Sequence, residues 1–307
     1  MELRVLQYFL AVAREQSISA AAERLHLSQP TLSTQLKAME DELGKQLLIR
    51  GTKGSRKVTL TEEGMILRKR AEEIMELVRK AEHEISLTSG DIAGDIFIGT
   101  GETEGIRFFA KIAKKLRSEY PQIRFHISSG NSMFVLEQLD KGLIDFGLIF
   151  ASVDNTKYDS IHLPVKDHWG ILMRRDSPLA KLEQIRPEDL WDKPLIISQQ
   201  ELKGGELSTW LKRDLERMNI AATYNLIFNA SILVEEGVGY AIGLDRIINV
   251  TGDSSLCFRP LVPRLEMGMK AIWKKYQVHS KASEKFLQEL RNAVKINQDD
   301  EPNYFEK

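Results

Sequence analysis

A chain of 307 residues with 42% apolar and 28% charged content has the composition of an ordinary soluble protein and is long enough for two or more packed domains. Its formal net charge of -1 exerts no global pull toward nucleic acid, yet residues 1–57 hold nine Lys or Arg against six Asp or Glu, so basic character is local. One cysteine, Cys257, excludes an internal disulfide framework, and no stretch reaches the length of a membrane span. The opening MELRVLQYFLAVAREQ has no uninterrupted apolar run ahead of a cleavage site, so a cytoplasmic protein is expected.

Leu3, Leu6, Leu10 and Ala13, with Phe9 beside them, predict a first helix that lies behind a helix pair. In that pair, residues 18–43, Ala21, Ala22 and Leu25 recur at helical spacing, as do Leu32, Leu36, Met39 and Leu43, with Leu27 as an apolar plug in the turn. Ser28 suits the cap of the second helix, and Pro30 suits its first turn, where a missing N–H costs nothing. The outward residues Gln29, Thr31, Ser33, Thr34 and Lys37 are rich in hydrogen-bond donors, a face that fits base edges in the major groove of DNA. On spacing alone such a hairpin is more often an ordinary surface element. The next segment shifts the balance. Between Lys45 and Lys57 stand Lys45, Arg50, Lys53, Arg56 and Lys57 with no acid, broken by Gly51 and Gly54 and flanked by Leu47–Ile49 and by Val58 and Leu60. Two short strands joined by a basic loop beside a helix-turn-helix read as a wing placed to meet phosphates or the minor groove.

Thr61, followed by Glu62 and Glu63, predicts a helix start, and the helix runs to about Thr88 without an internal proline. Leu67, Ala71, Ile74, Val78, Ala81 and Ile85 alternate in steps of four and three, a heptad seam. That stripe packs either on its own domain or on a second subunit; pairing with the second subunit is favoured because it sets two DNA-reading modules on one duplex.

Ser89-Gly90-Asp91 and Gly94 mark a hinge, after which strands and helices alternate. The expected series is strand 96–100, a helix through Ile112 and Leu116, strand 123–127, helix 131–141 and strand 145–150, a pattern that implies a parallel sheet with right-handed crossovers. A second unit follows: strand 170–174, a helix around Glu188–Leu190, strand 194–198, helix 205–218, strand 223–228, helix 231–236 and strand 239–243. Strand 271–273 and helix 281–295 end the series, and segments 163–169 and 261–267 read as two crossovers between α/β lobes that leave a cleft at the strand ends.

Taken together, the block AAERLHLSQPTLSTQLKAMEDELG, the LLIRG segment, the LTEEG helix start and the later GLIDFGLIF and EEGVGYAIG stretches resemble the LysR-type transcriptional regulators over essentially the whole chain. The resemblance implies an α/β protein with an N-terminal winged helix-turn-helix (1–58), a long linker helix for dimerisation (59–89) and a two-lobed, periplasmic-binding-protein-like effector domain (90–307). Lobe I would take about 91–163 and 268–297, and lobe II about 164–267. It further implies a homodimer or homotetramer on double-stranded promoter DNA, in contact with RNA polymerase and controlled by a small-molecule co-inducer, with no other cofactor, no metal and no membrane. DNA contacts carried over by position are Gln29, Pro30, Thr31, Ser33, Thr34 and Lys37, with Arg50, Lys53 and Arg56 from the wing. Many relatives place arginine where Thr34 stands, so base preference there departs from the pattern.

Effector contacts carried over in the same way are Thr100, Gly101, Glu102 and Thr103, then Ser128, Ser129 and Asn131, then Ser198, Gln199 and Gln200. Hydroxyls and free N–H groups where a strand meets a helix attract carboxylates. Glu102 in the first cluster works against an anion, which favours an amino acid or other amine-bearing metabolite.

Two rival readings have less support. The six histidines show no HxxxH or HExxH spacing, Cys257 has no flanking signature, and GTGETEG at 99–105 lacks the lysine of a phosphate loop, so no enzyme is expected. A periplasmic solute-binding protein would suit residues 91–297 but not the first ninety residues.

Overall fold

The computed structural model describes residues 1–51, 57–86, 92–150, 152–203 and 206–299. They fall into two compact units, Met1–Thr88 and Ser89–Lys307.

The first unit opens with α1 (Leu3–Glu15), α2 (Ile18–Arg24) and α3 (Gln29–Leu43). Ser17 caps α2 by accepting the Ala20 N–H, and Ser28 caps α3 by accepting the Thr31 N–H at 3.2 Å. Between them His26 takes a left-handed conformation (φ 55°) that turns the chain sharply. The buried stripe of α1 is Val5, Leu6, Phe9 and Val12, not the expected Leu3–Leu6–Leu10–Ala13 line: the Phe9 ring sits at the centre of the core, and Leu3 is 48% exposed. From α3 come Leu32, Leu36 and Met39, while Leu43 lies outside at the helix end.

The strands β1 (Leu48–Arg50) and β2 (Val58–Leu60) pair antiparallel, with Leu48 opposite Leu60. Glu40 ties this hairpin to α3: one carboxylate oxygen accepts the N–H groups of Leu47 (2.8 Å) and Leu48 (3.0 Å), and the other lies 3.5 Å from the Arg50 guanidinium. Because β2 runs through Leu60, the domain edge expected at residue 58 falls inside the hairpin.

Helix α4 (Glu62–Ser86) starts where Thr61 Oγ1 accepts the Gly64 N–H at 2.9 Å and donates to the Gln46 carbonyl at 2.7 Å. Gly64 is required here, since a Cβ would stand 2.2 Å from the Leu47 carbonyl oxygen. The seam of α4 divides. Ala71 is fully buried, and Leu67 and Ile74 pack half-buried on the core of α1–α3. Farther along, Val78 is half-buried, Ala81 is exposed and Ile85 is 84% exposed. The first half of the expected dimer stripe therefore belongs to its own domain.

The second unit is one mixed sheet built from β3 (Gly94–Thr100), β4 (Ile123–Ser129), β5 (Phe146–Ile149), β6 (Tyr158–Arg174), β7 (Leu195–Ser198), β8 (Ile220–Tyr224), β9 (Tyr240–Leu244), β10 (Leu256–Pro260) and β11 (Glu266–Lys274). The order is β4-β3-β5-β11-β6-β9-β7-β8, with β10 also on β6. Pairing is parallel within β4-β3-β5 and within β9-β7-β8, but β11 runs antiparallel to β5 and β6, and β6 runs antiparallel to β9 and β10. The parallel pairing expected of the 96–150 series is observed, whereas strand 170–174, expected to open a second unit of the same kind, is the end of β6 and runs antiparallel to β9.

Helices α5 (Ile106–Glu119), α6 (Ser132–Asp140) and α9 (Lys281–Asp299) cover the β3–β5 side. Phe109 and Phe286 meet edge to face at 5.3 Å, so the last helix closes the first lobe. Helices α7 (Glu206–Leu211) and α8 (Ile227–Glu235) cover the other lobe.

Several element limits differ from expectation. Segment 163–169 lies inside β6, which itself crosses from its pairing with β11 to its pairing with β9 and β10 in the other lobe; Pro164, which cannot donate to the ladder, sits within the register break opposite Gly268–Lys270. Of segment 261–267, only the last two residues lie in β11. The predicted helix 205–218 stops at Leu211, where Lys212 takes a positive φ of 54°, and a 3-10 turn capped by Asp214 follows. The predicted strand 223–228 ends at Tyr224, and Ile227 already begins α8. Glu188–Leu190 lies in a 3-10 turn after Pro187.

Glu40→Ala leaves two backbone donors without their acceptor and should lower the stability of the first unit by about 2–3 kcal/mol in urea unfolding. Glu42→Ala, on a side chain 57% exposed, should stay within about 0.5 kcal/mol.

Candidate functional site

Each unit holds a candidate site. In the first, burying Leu32, Leu36 and Met39 forces the opposite face of α3 outward. Gln29, Pro30, Thr31, Thr34 and Lys37 are exposed and Ser33 is half-buried, as the spacing predicts. From Gln29 to Lys37 the helix rises about 12 Å, about the width of the major groove. The Thr31 hydroxyl lies 2.7 Å from Ser28 Oγ and belongs to the cap. Gln29, Thr34 and Lys37 make no hydrogen bond or ion pair with other described residues, so their donors face solvent. Of the wing cations, Arg50 leans on Glu40; Lys53 and Arg56 lie outside the described residues.

In the second unit a cavity of about 510 Å³ opens between the lobes. Of the expected contacts, Gly101, Glu102, Asn131, Ser198 and Gln200 line it. Thr100, Thr103, Ser128, Ser129 and Gln199 do not, for identifiable reasons. Thr100 is 3% exposed, and its hydroxyl donates to the Gly101 carbonyl at 2.9 Å. Thr103 is buried and donates to the Asp167 carboxylate, a group whose pKa burial pushes up and this hydrogen bond pulls back. Ser128 and Ser129 end β4, the outermost strand of the sheet. Gln199 is exposed in the turn that follows β7, its N–H donating to the Tyr224 carbonyl at 2.8 Å.

The sequence reading missed Ser132, Phe150, Trp169, Glu201, Glu206, Tyr224 and Asn225, all of which line the cavity. The carboxyl ends of β5 and β8 were available as pointers to Phe150 and to Tyr224–Asn225. Nothing local marked Trp169, which is 6% exposed with its indole Nε1 bonded to no described group. Tyr224 donates its hydroxyl to the Ile242 carbonyl at 2.7 Å, and burial pushes its pKa up, so it is a fixed wall of the cavity.

Charge in this cavity is one-sided. Glu102, Glu201 and Glu206 line it, and no Lys, Arg or His stands among the described lining residues. Burial raises the Glu201 pKa and Glu206 raises it further, while the Leu207 N–H opposes both. Glu102 has an internal partner: its Oε2 accepts the Ile227 N–H at 2.6 Å. Leu226, the N-cap residue of α8, has no side-chain cap of its own, so a carboxylate from the end of β3 serves in its place. Asn131 Oδ1 likewise accepts the Phe134 N–H at 2.9 Å and caps α6.

The lone Cys257 is buried, and burial pushes its thiol pKa up, the reverse of an activated nucleophile. Among the described residues no cluster of metal-ligating side chains occurs, and no helix is long and apolar enough to cross a membrane.

Comparison with known proteins matches residues 3–65 to the family described as bacterial regulatory helix-turn-helix protein, lysR family, and residues 89–295 to the LysR substrate binding domain. The HTH-type transcriptional regulator BsdA of Bacillus subtilis is 37% identical over 224 residues, 72% of this chain and 74% of that protein. YvbU of the same organism, an uncharacterized HTH-type transcriptional regulator, is 28% identical over 243 residues, 79% and 81% of the two chains. Among solved structures, full-length CbnR complexed with its target DNA superposes with a TM-score of 0.74 at 20% identity, covering 95% of this chain and 100% of that one. Full-length BenM gives 0.53 at 23%, covering 99% and 100%. At these identities the two structures speak for the fold.

Glu102→Ala should free the Ile227 amide and destabilise the start of α8 by about 1 kcal/mol, read as faster hydrogen exchange at Ile227. Exchange at Phe134, capped by Asn131, should not change.

Proposed function

The chain belongs to the LysR family and is therefore a DNA-binding transcriptional regulator with a ligand-binding domain, not an enzyme, and on that premise we propose how its parts divide the work. Two copies bind a partly palindromic promoter site, each placing α3 in a major groove, and a small molecule in the cleft of the second unit changes that hold and the contact with RNA polymerase. The protein acts in the cytoplasm.

The observation that carries this reading is the outward face of α3. Gln29, Thr34 and Lys37 are exposed donors with no described partner, on a helix whose other face is locked into a core. Gln29 reads a base edge, because an amide offers donor and acceptor together. Lys37, farther along the same face, meets phosphate. Thr34 is too short for the reach of an arginine, so readout near it depends on closer approach or on water.

Dimerisation uses the distal part of α4. Val78 is half-buried and Ile85 is 84% exposed, and apolar groups seven residues apart on one helix face are stabilised by a second helix. Ile74 is a poor probe of this pairing because it packs on its own domain.

Gln29→Ala should remove discrimination between selected and random duplexes while leaving stability intact; an unchanged discrimination ratio would contradict the assignment of α3. Lys37→Ala should weaken binding to all sequences and reduce the salt slope by about 0.9. Ile85→Asp should convert dimers to folded monomers by light scattering; a persistent dimer would move the subunit interface away from α4.

A further inference from the structure

The cleft has a definite electrostatic character, and it restricts what can occupy it. We propose that its ligand is a small organic cation, an ammonium group on an apolar or aromatic body without a carboxylate; this rests on the reading of the cleft as the ligand site.

Three observations converge. The first is charge: Glu102, Glu201 and Glu206 line the cavity, and no cation stands among the described lining residues. A carboxylate ligand would enter a partly desolvated space against three like charges, whereas an ammonium group gains from each.

The second concerns the places where an anion would ordinarily sit. Helix N-termini cradle anions through their free N–H groups. Three helices start at this cavity, α6 at Ser132, α7 at Glu206 and α8 at Ile227. All three are served from within the chain: Asn131 Oδ1 takes the Phe134 N–H, Glu201 Oε2 takes the Leu207 N–H at 3.4 Å, and the Glu102 carboxylate takes the Ile227 N–H at 2.6 Å. A carboxylate ligand at α8 would have to displace Glu102. Engaged in this way, Glu102 still supplies negative potential but is held in place; Glu201 keeps its other carboxylate oxygen for a bound ammonium, and Glu206 stands beside it on the lining.

The third is the rest of the lining. Phe150 and Trp169 supply aromatic groups, and Leu148, Leu244 and Met267 supply aliphatic ones. Aromatic faces attract cations, and this lining accommodates an apolar body. A cavity of about 510 Å³ lies within the range of small-molecule sites. Acids and aromatic rings lining one cavity make a site for an amphiphilic cation.

The test measures binding to the full-length protein by calorimetry with two matched series: phenethylamine, phenethyl alcohol and phenylacetate, then hexylamine, hexanol and hexanoate. The amine of each series is expected to bind at least about tenfold more tightly than its carboxylate. The double variant Glu201→Gln with Glu206→Gln is expected to erase that preference while leaving the alcohols unchanged. Equal or tighter binding of the carboxylates overturns the cation assignment and leaves the cleft standing as a ligand site. Binding that survives Ser132→Trp, a side chain that fills the cavity, or no binding by any of the six probes, overturns the cleft itself.

Discussion

The ligand-binding unit depends on one pairing, that of β6 with β11. These two strands run antiparallel from Glu266 opposite His168 to Lys274 opposite Tyr158, and they are the chain's two passages between the lobes. On one flank β11 joins β5 and hence the parallel set β4-β3-β5; on the other β6 joins β9 and the parallel set β9-β7-β8. The strand ends that carry ligand groups therefore face a common gap, the usual site of binding in open α/β sheets. Trp169 in the middle of β6 and Met267 near the start of β11 line it. Without this ribbon, Ser198 of β7 and Gly101 after β3 would have no fixed relation to each other. Glu102 adds a second tie, from the end of β3 to the start of α8.

The DNA-binding unit follows a different economy. Its small core is shared by every element, and close approaches hold it: Gly64 against the Leu47 carbonyl, and the Glu40 carboxylate against the Leu47 and Leu48 N–H groups. Helix α4 serves this core with Leu67, Ala71 and Ile74, while Met65, Ile66, Leu77 and Ile85 stay exposed. The outer face of α3, by contrast, adds nothing to the core, and its polar donors Gln29, Thr34 and Lys37 are exposed.

How much of this was legible beforehand follows from how local each signal is. Ser28, Pro30 and the apolar rows of α3 lie within one turn of the groups they act on, so the helix, its cap and its exposed face were all readable. The seam of α4 was readable as a seam, but not which half covers α1, because that depends on packing between distant segments. In the second unit, apolar runs such as TYNLIF do not distinguish a buried strand from a helix by period, and the boundary between β8 and α8 was missed there. The length of β6 was hidden by Pro164 in its interior. At the cleft, Ser198 and Gln200 were legible and Gln199 was not excluded, because both glutamines lie in the turn after β7, where no period tells one side chain from the next. Glu201 and Glu206 were invisible as site residues: only the folded loop brings them to the cavity, and they determine its charge.

The central claim is that two α3 helices, held in register by a dimer, read DNA through their exposed polar face. Selection of duplexes from a random library by the full-length protein tests it most directly. The account predicts enrichment of sequences with two related half-sites whose centres lie about one helical turn, or a whole number of turns, apart. Bound sequences indistinguishable from the input library, or carrying a single unpaired motif throughout, would contradict it.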